Sequence, residues 1–185
     1  MVAASILPVA IYNNTLYFLF GLENEFEESA PGWSDFGGRV DGNETIYDAA
    51  LREGKEELTG ILGKETDIDA LIKKGKLYQI THGTYHIHIF KIDYDLNLPK
   101  YYKNMHDFLW NTLDKDTLHK TCFEKERIKW FSEKELIKKK GSFRHFYQDI
   151  IDIIHKKLPE LRRYYKKSIK HKKTIKKSKK NKIYF

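Results

Sequence analysis

The stretch "WSDFGGRVDGNETIYDAALREGKEELTG", residues 33–60, constrains the fold of this 185-residue chain more than any other. It reads as a short strand, a Gly-Gly turn, a polar loop and a helix from Thr45 to Leu58. Thr45 and Asp48 have capping-box spacing, and Gly60 is the expected left-handed residue past the helix end. At about 100° per residue the helix divides into three sectors. Tyr47, Leu51, Gly54 and Leu58 form an apolar stripe, while Thr45, Asp48, Arg52, Lys55 and Thr59 face solvent. The third sector starts with Ile46, Ala49 and Ala50 and continues as Glu53, Glu56 and Glu57. A charge run is usually a solvated face, but these acids continue a face that begins apolar. Three carboxylates turned toward the protein body need protons or a bound cation. Hard oxygen ligands of this kind suit Mg²⁺ or Mn²⁺. Gly37-Gly38 adds room for a backbone carbonyl or a phosphate to come close.

The rest of the chain alternates strands with helices. "SILPVAIY" and "TLYFLFGLE" are β-rich runs joined at Asn13-Asn14, which reads as a hairpin. "NEFEESAPG" reads as a polar loop, and "KLYQITHGTYHIHIFKIDYD" is strand-rich. Residues 97–121 look irregular, anchored by Phe108 and Trp110. "RIKWF" is a strand leading into a second capping box at Ser132 and Glu135. Phe143 to Leu158 carries the clearest helical period, through Phe143, Phe146, Tyr147, Ile150, Ile154 and Leu158. This order suggests an α/β sandwich with a mixed sheet over residues 1–160.

Residues 161–185 form a separate Lys/Arg-rich tail, a helical extension or a disordered segment. Twelve of the 34 Lys and Arg residues lie after Leu161, with no acid among them; the 22 upstream face 26 acids. A mildly acidic body with a basic tail argues for a polyanion held by the tail, with Lys166 and Lys167 as candidate contacts. No apolar run reaches the roughly 18 residues of a membrane span, and no signal peptide or membrane contact is expected. Cys122 is the only cysteine, so an intrachain disulfide and a cysteine zinc site are excluded. A reducing, cytoplasmic setting is expected, with the basic tail leaving the nucleus open. The spacing of His82, His86 and His88 invites a metal reading, but no acid or cysteine accompanies them, and a structural or substrate-facing role is favoured. Trp33, Trp110 and Trp130 read as core residues; Phe20, Tyr85 and Phe90 are unranked candidates for stacking a base.

From Gly38 the sequence runs Gly, five residues, Glu44, seven residues, Arg52-Glu53, two residues, Glu56-Glu57. This resembles the signature box of the Nudix hydrolases. "WSDFGG" is similar to the strand that leads into that box, with Phe36 in place of the usual Pro. Gly54 replaces an aliphatic residue, and the Gly expected after the acids is Thr59, with Gly60 one position on. The resemblance implies an α/β/α sandwich with a mixed sheet and a metal-dependent hydrolase of nucleoside diphosphates linked to a group X. It implies Glu53, Glu56 and Glu57 as ligands of Mg²⁺ or Mn²⁺, with the Gly38 carbonyl beside them. Arg52 would orient a carboxylate, Glu44 would support the loop or a water, and Gly37 and Arg39 would touch the substrate. The general base would be Glu53 itself or an acid outside the box, with Glu126 the first candidate and Glu124 the second.

The box does not name X. The tail could follow a nucleic-acid backbone, which makes 5′-capped RNA the favoured substrate, with m7GDP released by decapping. The Lys-, Ile- and Asn-rich composition resembles that of large DNA viruses, which carry Nudix decapping enzymes. The alternatives are a pyrophosphatase of free nucleotides or nucleotide sugars, and a Nudix-like module that binds nucleotide or RNA without catalysis. Oligomeric state is not legible.

Overall fold

In the computed structural model the described residues are 1–24, 31–114 and 123–180, with side chains described as far as Lys166. Most of the "NEFEESAPG" loop, Cys122 and the side chain of Lys167 lie outside the described residues. Strands β1 (Ala3–Tyr12) and β2 (Thr15–Glu23) form the expected hairpin. Asn13 and Asn14 turn it with φ of 45° and 63°, the left-handed pair that matches the twist of the flanking strands.

β1 and β2 stay paired only from Val9–Phe18 to the turn. Beyond that they splay apart, and the segment before the acidic helix fills the gap. Its first half, β3 (Trp33–Ser34), pairs with β2, and its second half, β4 (Phe36–Arg39), pairs antiparallel with the start of β1. Gly37 and Gly38 therefore lie within a strand, opposite Ser5 and Ala4, and form no turn. Both are still needed as glycines. A Cβ on Gly37 would overlap the Ala4 carbonyl, and one on Gly38 would lie 2.5 Å from the Glu53 carboxylate.

β5 (Leu77–His82) and β6 (Tyr85–Lys91) form a second hairpin, and β6 runs parallel to β1. β7 (Lys125–Ser132) covers the other edge of β2. The sheet is mixed, as expected. One face packs on α1 (Ile46–Glu57), α2 (Glu65–Gly75) and α3 (Leu98–Thr112), around Ala4, Ile6, Phe36, Ile68 and Tyr102. The other packs on α4 (Glu133–Lys138) and α5 (Tyr147–Lys180), around Leu7, Phe18, Phe20, Ile150 and Ile154. No helix among the described residues is long and apolar enough to cross a membrane.

Three elements differ from the sequence expectation. Residues 98–112 form a helix, started by Pro99 in its first turn. Its buried stripe is Tyr102 and His106, too polar a pair to stand out as a hydrophobic period. Trp110 does anchor it, stacking on His106 with centroids 5.9 Å apart, but Phe108 is exposed. α2 was not read from the sequence. The last helix begins at Tyr147, with buried Phe143 in the approach to it, and it passes through Pro159 without a break. Leu161 and Tyr165 are buried, and the Tyr165 hydroxyl donates to the Ile89 carbonyl at 2.9 Å. Packing against the sheet thus continues past residue 160.

Candidate active site

α1 carries the acids to the Gly37–Gly38 strand because it lies unusually close to β1. A Cβ at Gly54 would be 2.5 Å from Ile6 Cγ1 and would overlap Cδ1. Only glycine allows that approach, which accounts for its place in mid-helix despite a cost of about 1 kcal/mol against alanine. The helix starts on Thr45, whose Oγ1 accepts the Asp48 N–H at 3.1 Å. It ends in a Schellman arrangement: Thr59 N–H donates to Glu56 O and Gly60 N–H to Lys55 O, each at 2.9 Å. Thr59, with φ of 50°, holds the position expected of Gly60, which follows at φ 69°.

The three acids of α1 differ in their surroundings. Glu57 is buried, Glu53 nearly so, and Glu56 is the most open; the Glu57 and Glu56 side chains are 3% and 37% exposed. Arg52 is not a solvent-facing residue. Its guanidinium grips Glu44 bidentately at 2.7 and 3.1 Å, reaches Glu53 at 2.9 Å and Glu56 at 3.3 Å, and donates to the Arg39 carbonyl at 3.0 Å. Glu44 also accepts the Asp41 N–H at 2.7 Å. These bonds, the one to Arg52 foremost, hold the Glu44 carboxyl down to about 2. Arg52 and Glu44 thus clamp the loop between Arg39 and the helix while Arg52 orients two of the acids. Ile46, expected on the inward sector, is exposed.

Burial raises the Glu53 carboxyl above its ordinary value; Arg52 opposes this, and the charges of Glu124 and Glu56 add to it. Burial pushes Glu57 up further, with Lys125 opposing and Glu23 and Glu124 adding. Burial disfavours the Lys125 ammonium, yet the charges of Glu57 and Glu23 outweigh it and hold Lys125 above the usual lysine value. The raised Glu57 value favours a protonated carboxyl, whereas the raised Lys125 value draws on a charged Glu57. Geometry decides between them. Glu57 Oε2 accepts the Gly37 N–H at 2.7 Å and Oε1 faces Lys125 Nζ at 3.2 Å, so both oxygens accept and the pair is ionic.

The two outside acids have different surroundings. Glu126 pairs with Arg127 at 3.2 Å and its charge falls on His106 of α3. It is Glu124 whose charge acts on Glu53 and Glu57. Glu124 lies just ahead of β7, which starts at Lys125, whereas Glu126 lies within it. Lys166, on the α5 side of the sheet, is not brought to the acids, and Arg39 is exposed at the strand end. His88 is buried with Nδ1 3.1 Å from the Ser5 carbonyl, and His86 reaches Thr81, which are structural roles. Phe20 and Phe90 are fully buried and offer no stacking surface.

Sequence reasoning missed Lys125, Glu23 and Asp35. Asp35 is buried and accepts from Ser5 Oγ at 2.5 Å and Tyr85 OH at 2.6 Å, and burial raises its carboxyl to about 6. For Glu23 and Asp35 the only sequence signal was a charge beside apolar residues; Lys125 had none.

The NUDIX domain model matches residues 8–151. The chain belongs to the Nudix family. Its sheet and helices are the Nudix α/β fold, and Nudix hydrolases act on pyrophosphate bonds, generally with Mg²⁺ or Mn²⁺. No curated protein matches the chain. Similar solved structures include an Ap4A hydrolase from C. elegans, 17% identical over 75% of this chain and 86% of that one, with a TM-score of 0.41. Another is a mutT/nudix family protein from Listeria innocua, 17% identical over 85% and 91%, TM-score 0.43. A third is the Nudix domain of Shewanella oneidensis NrtR complexed with ADP ribose, 10% identical over 75% and 76%, TM-score 0.39. Likenesses this distant carry no argument about substrate.

This Nudix chain offers a divalent cation a particular donor set. The Glu53 carboxylate lies over the Gly38 backbone, Glu56 is open beside it, and Glu124 adds charge to the same region. Hard anionic oxygens of this kind fit Mg²⁺ or Mn²⁺. Among the described residues, no group of three His, Cys, Asp or Glu side chains is arranged to hold a metal ion. Glu57 is the acid drawn away, toward Lys125.

Proposed function

We propose that this Nudix hydrolase cleaves nucleoside diphosphates linked to a group X, with Mg²⁺ or Mn²⁺ held by Glu53, Glu56 and the Gly38 carbonyl. The observation that supports this reading most is the placing of the Glu53 carboxylate directly over the Gly38 backbone. When bound, the metal neutralises diphosphate charge and aligns the attack of water. The chain's own residues do the rest. Arg52 keeps Glu53 and Glu56 in one orientation, and Glu44 ties Arg52 to the loop. Glu53, raised by burial, or Glu124 takes the proton from the attacking water. Glycine at 38 lets the Glu53 carboxylate come against the strand backbone.

Capped RNA is the favoured substrate, with the RNA chain as X and m7GDP released. This rests on the tail: nine lysines and no acid follow Lys166, a charge density that suits a phosphate backbone. A free-nucleotide pyrophosphatase gains little from such a tail. The test compares capped RNA, cap analogue, free dNTPs and ADP-ribose, using the full chain and one ending at Lys166, which keeps the buried Tyr165. Faster capped-RNA turnover by the full chain, with the difference shrinking as salt rises, is expected. Cleavage of free nucleotides alone would overturn the RNA assignment and leave the diphosphate chemistry in place.

A further inference from the structure

Lys125 is the least expected residue near the acids. It is 1% exposed, pairs with the Glu23 carboxylate, donates to Ser34 Oγ at 2.9 Å and lies 3.2 Å from Glu57 Oε1. Its slot is built for it. A Cβ on Gly21 would fall 2.8 Å from both Lys125 Cγ and Cδ, so glycine in β2 admits the lysine stem. Arg144, from the approach to α5, reaches the same Glu23 oxygen at 2.8 Å. The Tyr102 hydroxyl of α3 sits within hydrogen-bond distance of the Lys125 and Glu57 carbonyls, at 2.9 and 3.1 Å. Two cations and two carboxylates are therefore matched in a buried cluster joining α1, β2, β7 and the start of α5.

Both oxygens of Glu57 are held in that cluster, one by Lys125 and the other by the Gly37 N–H. A divalent ion that used Glu57 would have to share a buried carboxylate with the Lys125 ammonium 3.2 Å from it, placing like charges together in a slot where unmatched charge is costly. We propose that Lys125 is the resident cation of Glu57, which makes Glu57 the brace of the Gly37–Gly38 strand and leaves divalent binding to Glu53 and Glu56. The inference rests on the metal-dependent reading above and departs from the equal roles that the box implies for its three acids. Lys125 acts on the reaction as a positioning residue, by fixing the strand that faces Glu53.

Mn²⁺ titration calorimetry on the full chain, with thermal unfolding of the metal-free protein, tests it. Glu57→Gln is expected to change the Mn²⁺ Kd by less than about threefold, and Glu53→Gln to weaken it at least about tenfold. Lys125→Met, which leaves Glu57 without its cation, is expected to bind one more Mn²⁺ per chain than wild type. Without metal, Lys125→Met and Glu57→Gln should each lower Tm on the order of 10 °C, and Glu53→Gln should not. Should Lys125→Met fail to fold, the Lys125→Met, Glu57→Gln double variant removes both charges; it should recover Tm and bind Mn²⁺ in the wild-type number. Equal weakening by Glu57→Gln and Glu53→Gln, with wild type binding metal and hydrolysing diphosphates, overturns the Lys125 proposal alone. Failure of wild type to bind Mn²⁺ overturns this proposal and the metal reading together.

Discussion

Gly54→Ala puts the contact that positions the acids to a direct test. An isolated helix would gain about 1 kcal/mol from the substitution. Here the new Cβ overlaps Ile6 Cδ1 and sits 2.5 Å from Cγ1, and overpacking of a buried contact costs about 1–3 kcal/mol. The sum is a net loss of about 1 kcal/mol. Ile6 is fully buried, so Ile6→Ala alone should cost about 2–5 kcal/mol. In that background the obstruction is gone, and Gly54→Ala should instead stabilise by about 1 kcal/mol. Urea unfolding of the four proteins in this cycle measures the reversal. Because the added methyl pushes α1 off β1, it also moves Glu53 away from Gly38, so turnover should fall in the single variant. Stabilisation by Gly54→Ala in both backgrounds would refute the close-packing account and, with it, the reason given for the helix position.

Two further predictions concern stability. Asp35 has a folded-state value of about 6 against an ordinary 3.8, so the folded chain holds an extra proton between about pH 4 and 6. The contribution of this group to stability is fully present below that window and is lost as pH rises through about 6, by at most about 3 kcal/mol. Asp35→Asn should flatten the stability profile between pH 4 and 7 in urea unfolding; an unchanged slope would place the titration elsewhere. Thr59 is β-branched at φ 50°, a strained conformation that glycine relieves. Thr59→Gly should stabilise by about 0.5–1 kcal/mol after the entropy of the unfolded glycine is subtracted, and a loss of stability would show that the weak 3.4 Å contact of Thr59 with Tyr102 matters more.

The acidic helix and the sheet hairpins were legible because their signals are local. Thr45 and Asp48 cap within one turn, and Asn13-Asn14 turns within two residues. Gly54 was visible as a departure, but its cause is a contact with Ile6, 48 positions away in the chain, which no period reveals. Lys125 was hidden for the same reason. Its partners Glu23, Ser34 and Glu57 come from three other elements, and in the sequence it is one charge among several in "FEKERIK". Glu124 and Glu126 share one parity along a strand, so alternation could not rank them; what separates them is that β7 starts at Lys125 and leaves Glu124 just ahead of it. α3 escaped because its inward stripe, Tyr102 and His106, is polar at the tips.

The central claim is that the acids facing Gly38 hold a divalent ion for cleavage of a diphosphate. Steady-state hydrolysis by wild type and Glu56→Gln, each followed across a Mg²⁺ titration with folding checked by circular dichroism, tests it most directly. Glu56 is half-exposed and its carboxylate is bonded to Arg52 at 3.3 Å, so the variant should fold normally. The account predicts Mg²⁺-dependent turnover in wild type and a loss on the order of 10²–10³-fold in Glu56→Gln. Wild-type-like turnover in Glu56→Gln, at any Mg²⁺ concentration, would contradict it.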